Sequence, residues 1–178
     1  PQYRIDWDRI EAAITANTRL LILNSPHNPT GMVMDEDDIA ALSALCAKND
    51  IYLIGDEVYE HMVFDHAQHL SLCAYEDLYA RSFVISSFGK TYHVTGWKVG
   101  YCIAPPALTT EFRRVHQYVT FTVNTPVQLG IAEFLQHHPE HHQRLPGFYQ
   151  TKRDLFCELL KGSRFTVSPS QGTYFQLL

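Results

Sequence analysis

The stretch "SSFGKTYHVTGWKVGY", Ser86 to Tyr101, decides how this chain is read. It closes one short apolar run, SFVISS, with Gly89-Lys90-Thr91, and leads into another, VGYCIAP. Gly-Lys-Thr is the tail of a phosphate-binding loop, but that loop needs G-x-x-x-x-G-K-[ST]. Five residues before Gly89 stands Val84, in the middle of the apolar run, so the wrap around the phosphates is missing. A lysine among small residues at a strand end has a second use, as a nucleophile. Its neighbours decide between the two.

Outward from Lys90, the same kind of apolar run recurs. RLLILNS, IYLIGDE, SFVISS and VGYCIAP read as four short strands, the first two bounded by turn residues. Between them lie helical patterns. DWDRIEAAITANT starts at a capping Asp6 with Trp7, Ile10 and Ile14 on one face, and MDEDDIAALSALCAKND carries acidic residues in its first turn. Strands alternating with helices predict an α/β fold with a mostly parallel sheet. After Pro105, PALTTEFRRVHQYVTF, TPVQLGIAEFLQHH and PEHHQRLPGFYQTKRDLFCELLKG read as helices, the last bent near Pro146. RFTVSPSQGTYFQLL then reads as two strands around a Ser/Pro/Gly turn. Residues 1–145 are expected to form part of a large domain, and 146–178 to begin a small α+β one. Gly31, Gly89 and Gly96 read as positions of special backbone geometry.

Ligands of parallel sheets gather at the carboxyl ends of strands. Three such ends carry polar clusters: Asn24-Ser-Pro-His-Asn28-Pro-Thr-Gly31, Asp56-Glu-Val-Tyr59 and Ser87-Phe-Gly-Lys90. A lysine that holds pyridoxal 5′-phosphate as a Schiff base needs three kinds of helper. Asp56 suits the carboxylate that pairs with the ring nitrogen. Asn28 and Tyr59 suit the donors to the ring oxygen, and Ser87 with Lys98 suit the phosphate.

With these residues in view, the chain resembles the class I/II aminotransferases, the fold type I enzymes that use pyridoxal phosphate. The motifs are NSPHNPTG (24–31), DEVYE (56–60), SSFGKTYHVTGWKVGY (86–101) and GTYF (172–175), in matching order and spacing. The resemblance implies a three-layer α/β/α large domain, with Lys90 as the Schiff-base lysine and proton shuttle. It makes Asp56 the partner of the ring nitrogen, Asn28 and Tyr59 the donors to the ring oxygen, and Ser87 and Lys98 the phosphate ligands. Arginine is more frequent in the family where Lys98 stands, so here the charge is kept and the bidentate fork is lost. GKTYHVTGWKVGY followed by VHQYVTF is most similar to the methionine and kynurenine/glutamine transaminase branch. That likeness implies amino acid and 2-oxo acid substrates, a homodimer, and a Phe121 that reaches the neighbouring subunit's substrate pocket. It also implies a parent longer at both ends, with a phosphate loop before this chain and a carboxylate-clamping arginine after it. A non-catalytic fragment of such an enzyme is therefore one alternative, and a β-lyase on the same scaffold is another.

Each residue also has a plainer use. Asp56 suits a turn cap, Tyr59 and Phe121 suit the core, Ser87 suits a turn start, and Lys98 suits a solvated strand position. A net charge of −5 with no basic stripe argues against a nucleic-acid partner. No apolar run approaches a membrane span. Cys46, Cys73, Cys102 and Cys157 are widely spaced, which argues against a zinc site and for free thiols in a reducing, cytoplasmic setting. In "HHPEHH" (137–142) the proline separates the histidine pairs, so no metal is expected there.

Overall fold

The structure, a computed structural model, describes residues 3–178; Pro1, where the large-domain reading starts, lies outside the described residues. Strands β1 (Leu20–Asn24), β2 (Tyr52–Asp56) and β3 (Ser82–Ser87) are parallel, with Leu20 opposite Tyr52 and Leu53 opposite Ser82. Strand β4 (Gly100–Ile103) runs antiparallel on the β3 edge, so the order is β1-β2-β3-β4. The close approach of β4 needs Gly100, because a β-carbon there would stand 2.7 Å from the Ser86 carbonyl oxygen.

Apolar strands of a parallel sheet are stable where helices cover their faces. Helix α2 (Glu36–Asn49) packs Ile39, Leu42 and Cys46 on Leu53 and Val84, and Leu78 from the four-residue helix α3 (Glu76–Tyr79) joins them. Leu42, Leu53 and Leu78 are fully buried, each worth about 1.5–3 kcal/mol relative to exposure. On the other face, Phe83 meets Phe112 of α5 (Pro106–Val119), ring centroids 6.3 Å apart. Adjacent residues Phe83 and Val84 thus contact helices on opposite sides of β3, which makes three layers. A capping box starts α2: Asp35 accepts from the Asp38 backbone N–H, and Asp38 accepts from that of Asp35. The Asp38 N–H holds the Asp35 carboxyl below its ordinary pKa.

Several expectations need correction. The first helix, α1, is confined to Trp7–Ala13. The helix pattern around Pro146 is split: a 3₁₀ turn covers His141–Arg144, and α7 (Leu145–Leu159) begins with Pro146 in its first turn. Proline lacks the N–H that a helix interior would use but loses nothing at a start. The two late strands do not form. Among the described residues, the only pairing of this segment is the single antiparallel bridge Gly172 to Val63. The Gln176 side chain takes over backbone groups a strand partner would use, accepting from Ser170 N and donating to the Ser168 carbonyl. Gly96 has neither a positive φ nor a neighbour within 4 Å of an added β-carbon. No helix among the described residues is long and apolar enough to cross a membrane.

Residues 146–178 pack back against the turns that follow β2. Arg153, buried in α7, pairs both guanidinium nitrogens with Asp65 and donates to the Ser170 carbonyl. Helix α6 (Thr125–His137) opens with Asn124 accepting from Val127 N and buries Ile131.

Candidate active site

The parallel register brings three polar strand ends onto one face. Asn24 lies opposite Asp56, Asp56 lies opposite Ile85, and Ser87 follows two residues beyond Ile85. The Asn24 amide donates to the Asp56 carbonyl at 2.9 Å, and its oxygen accepts from the Asn28 backbone N–H at 2.8 Å. The NSPHNPTG loop is thereby held over β2, with the Asn28 side chain exposed to solvent. Asp56 Oδ1 accepts from Val58 N at 3.2 Å, so this carboxylate does cap the turn after β2. Its second oxygen has no hydrogen-bond partner among the described residues.

Tyr59, at the end of that turn, is buried. Burial, then the neighbouring Tyr174 hydroxyl and the Asp56 charge, raise its phenol pKa far above the ordinary value. It stays a hydrogen-bond donor across the physiological range. Lys90 sits in the four-residue helix α4 (Phe88–Thr91), which Ser87 caps by accepting from Gly89 N at 3.0 Å. The Lys90 amine lies 6.0 Å from the Tyr59 ring centroid and 6.0 Å from that of Tyr174. Among the described residues it has no hydrogen bond and no ion pair.

Ser87 also donates to the Val99 carbonyl at 3.2 Å, so its hydroxyl proton and one lone pair are engaged in shaping this turn. Lys98, next to Val99, is not on a strand. It is exposed, left-handed (φ 56°), and ends a 3₁₀ turn over Thr95–Trp97. Asn28, Asp56, Tyr59, Ser87, Lys90 and Lys98 thus occupy neighbouring strand ends and turns. Phe121 does not join them. It is 81% exposed past the end of α5, with φ 65°, so it is no core residue.

Beside this group lies a polar network that sequence reading missed. Glu57, buried next to Asp56, accepts from Leu72 N at 2.9 Å and contacts His69 Nε2 at 2.8 Å. Glu60 accepts from Ser86 at 2.8 Å and from Tyr101 at 2.9 Å. Burial foremost, with the Glu60 charge adding, pushes the Tyr101 phenol up to about 12. Ligand atoms of Glu57, Glu60 and His69 lie within 4.8 Å of one another, the spacing of a possible cation site; the histidines of 137–142 take no part in it. Only the DEVYE motif marked this region in sequence, since His69 lies twelve residues from Glu57.

Comparison with known proteins decides the family. The model for "Aminotransferase class I and II" matches residues 1–178. The chain belongs to that family. It is 49% identical over 178 residues to methionine aminotransferase of Escherichia coli (strain K12), covering 100% of this chain and 46% of that protein. It is 37% identical over 177 residues to kynurenine–oxoglutarate transaminase of Dictyostelium discoideum, covering 97% of this chain and 41% of the relative. The solved structure of Escherichia coli YbdL, reported as a methionine aminotransferase, superposes with a TM-score of 0.94 at 49% identity, covering 99% of this chain and 47% of that one. N-succinyldiaminopimelate aminotransferase of Mycobacterium tuberculosis gives 0.90 at 37% identity, over 96% of this chain and 44% of the other. The chain spans a little under half the length of these relatives.

Proposed function

We propose that the protein carrying this chain is a pyridoxal-phosphate-dependent aminotransferase. It would move an amino group from methionine, an aromatic amino acid or glutamine to a 2-oxo acid. The single observation that carries the reading is the Lys90 amine, unpaired among the described residues, in a corner of two tyrosine rings at a strand end next to Asp56. Family membership and the methionine aminotransferase and kynurenine–oxoglutarate transaminase relatives support the reaction and the substrate class.

The donor set fits the cofactor. Asp56 keeps one carboxylate oxygen free and would hold a proton on the ring nitrogen. Tyr59, held protonated, and the exposed Asn28 amide would donate to the ring oxygen. Lys98 would meet the phosphate with its charge, and Ser87 would join it by exchanging its bond to Val99. When bound, pyridoxal phosphate supplies the electron sink and carries the amino group between the two half-reactions. The work of the chain is then positional. Lys90 Nζ would take the proton from the substrate α-carbon and return it, and the Tyr59–Tyr174 corner would set its direction.

The same reading assigns residues 1–145 to the cofactor-binding domain and 146–178 to the start of the small one. It also makes the protein a homodimer, with Phe121 directed at the neighbouring subunit. Val115, Tyr118, Val119 and Phe121 are all strongly exposed around the end of α5, which supports an interface there. The free cysteines fit a cytoplasmic setting. The test is incubation with pyridoxal phosphate, borohydride reduction and peptide mass mapping. A phosphopyridoxyl group on Lys90 and no other lysine is expected. Absent or scattered labelling overturns the assignment.

A further inference from the structure

The late segment Gly172–Phe175 has a contact that its sequence does not announce. Thr173 is fully buried and left-handed, with φ 66°, a conformation rare for a β-branched residue. It is held there by bonds from its own N–H to the Met62 carbonyl and from Phe175 N to its hydroxyl. Gly172 is wedged behind it, where a β-carbon would stand 2.8 Å from Pro26 Cβ and 2.9 Å from the Met62 oxygen. This locked turn aims Tyr174 at the lysine. The Tyr174 and Tyr59 rings are 5.4 Å apart and nearly perpendicular, at 86°. The Lys90 amine closes a triangle with both centroids at 6.0 Å. Tyr149, 5.7 Å away, and Phe175, 4.8 Å away, brace the Tyr174 ring from behind.

Tyr174 is 39% exposed, so burial alone does not account for its placement. We propose that Tyr174 is a positioning residue of the Lys90 site, fixing the direction in which the Lys90 amine and the Tyr59 hydroxyl meet a bound carbonyl compound. The inference rests on the reading of Lys90 given above. Two electron-rich ring faces at right angles restrict the amine to the corner between them. The Tyr174 hydroxyl is also among the causes that keep the Tyr59 phenol protonated, after burial itself. Neither effect follows from a ring that merely fills space.

Two variants and two readouts separate these roles in the intact protein. Tyr174→Leu removes the ring, and Tyr174→Phe removes only the hydroxyl. The first readout is the rate at which pyridoxal phosphate with borohydride labels Lys90. The second is the pH titration of Tyr59, followed by NMR of ring-labelled tyrosine in the cofactor-free protein. Tyr174→Leu should slow labelling about two- to fivefold, the scale of a partly exposed cation–ring contact. Tyr174→Phe should restore the labelling rate yet lower the pH at which Tyr59 titrates. Unchanged labelling in Tyr174→Leu together with an unchanged Tyr59 titration in Tyr174→Phe overturns the proposal. If Tyr174→Leu does not fold, Tyr174→Met, which keeps side-chain length without the ring, takes its place in the labelling readout. A wild-type protein that never labels at Lys90 overturns the lysine reading instead, and the Tyr59 titration still reads the Tyr174 contact.

Discussion

Gly31 and Ser170 touch so closely that a β-carbon built on Gly31 would stand 2.3 Å from Ser170 Cβ and 2.8 Å from the Gly172 carbonyl oxygen. The contact joins the NSPHNPTG loop to the turn that carries Tyr174, and Gln171 N donates to the Gly31 carbonyl across it at 3.0 Å. Gly31 also has φ 68°, where a side chain costs about 1–2 kcal/mol by itself. Gly31→Ala therefore pays twice, because backbone atoms cannot rotate aside. A loss of about 3 kcal/mol is expected in urea unfolding, within the range of severe single substitutions. A loss below about 0.5 kcal/mol would mean the two loops part without cost.

Such loop-to-loop contacts explain what the sequence could and could not carry. The four strands and most helices were legible because apolar runs and 3.6-residue spacing are local properties. The direction of β4 was not, since an apolar run has no sign. Helix α3 and the 3₁₀ turns are too short for periodicity to register. The late strands failed because strand pairing is a tertiary property, and here Gln176 occupies the backbone groups instead. The positions of Asp56, Tyr59 and Lys90 at strand ends and turns were legible as polar punctuation. The contact of Tyr174 was not, because it depends on a turn that folds back across 84 residues to Lys90. Phe121, which residue type alone sends to the core and the family resemblance sends toward a neighbouring subunit, is exposed, which removes only the first of these readings.

Asp65 makes the stability of the fold pH-dependent. Its hydrogen bond from Arg153 holds its carboxyl below the ordinary value of 3.8, against a smaller opposing effect of burial. A carboxylate whose folded pKa is depressed stabilises the fold above the unfolded value, and the gain is lost as pH falls through the folded pKa. The acid limb of the stability curve should therefore steepen below about pH 3.8. Asp65→Asn keeps the left-handed backbone (φ 55°) that asparagine tolerates and removes the titration. The variant should be less stable at neutral pH, with a shallower decline in acid. Thermal melts from about pH 1.5 to 7 on both proteins check this; parallel curves would show that Asp65 and Arg153 are not coupled in solution.

Glu57 offers a test of the buried network. Its carboxylate serves both Leu72 N and His69 Nε2, while His69 Nδ1 is buried without a partner. Glu57→Ala would strand two more polar groups at once. The expected cost is about 3 kcal/mol, the scale of breaking a buried pair from one side. Glu57→Gln keeps an acceptor for Leu72 N and should recover at least half of the loss. Chemical denaturation of the three proteins measures it, and equal stability of the alanine and glutamine variants would assign the effect to the lost carboxylate charge instead of the acceptor for Leu72 N.

Asp56 has two duties that one substitution can separate. As a cap it needs only an acceptor for Val58 N, which an asparagine oxygen supplies equally well. As the proposed partner of the cofactor's ring nitrogen it needs a negative charge, because a neutral amide does not hold a proton there. Asp56→Asn should therefore leave unfolding stability within about 0.5 kcal/mol of the parent. The same variant should lose about a hundredfold or more in transamination rate, the scale on which a positioned proton matters. Loss of the Asp56 charge should also lower the pH at which Tyr59 titrates, since that charge contributes to keeping its phenol protonated. Stability, rate and Tyr59 titration measured together make the result specific. An unstable variant would show that the Asp56 charge, beyond its cap to Val58 N, holds the fold, and a stable variant with full activity would show that the ring nitrogen needs no charged partner from β2.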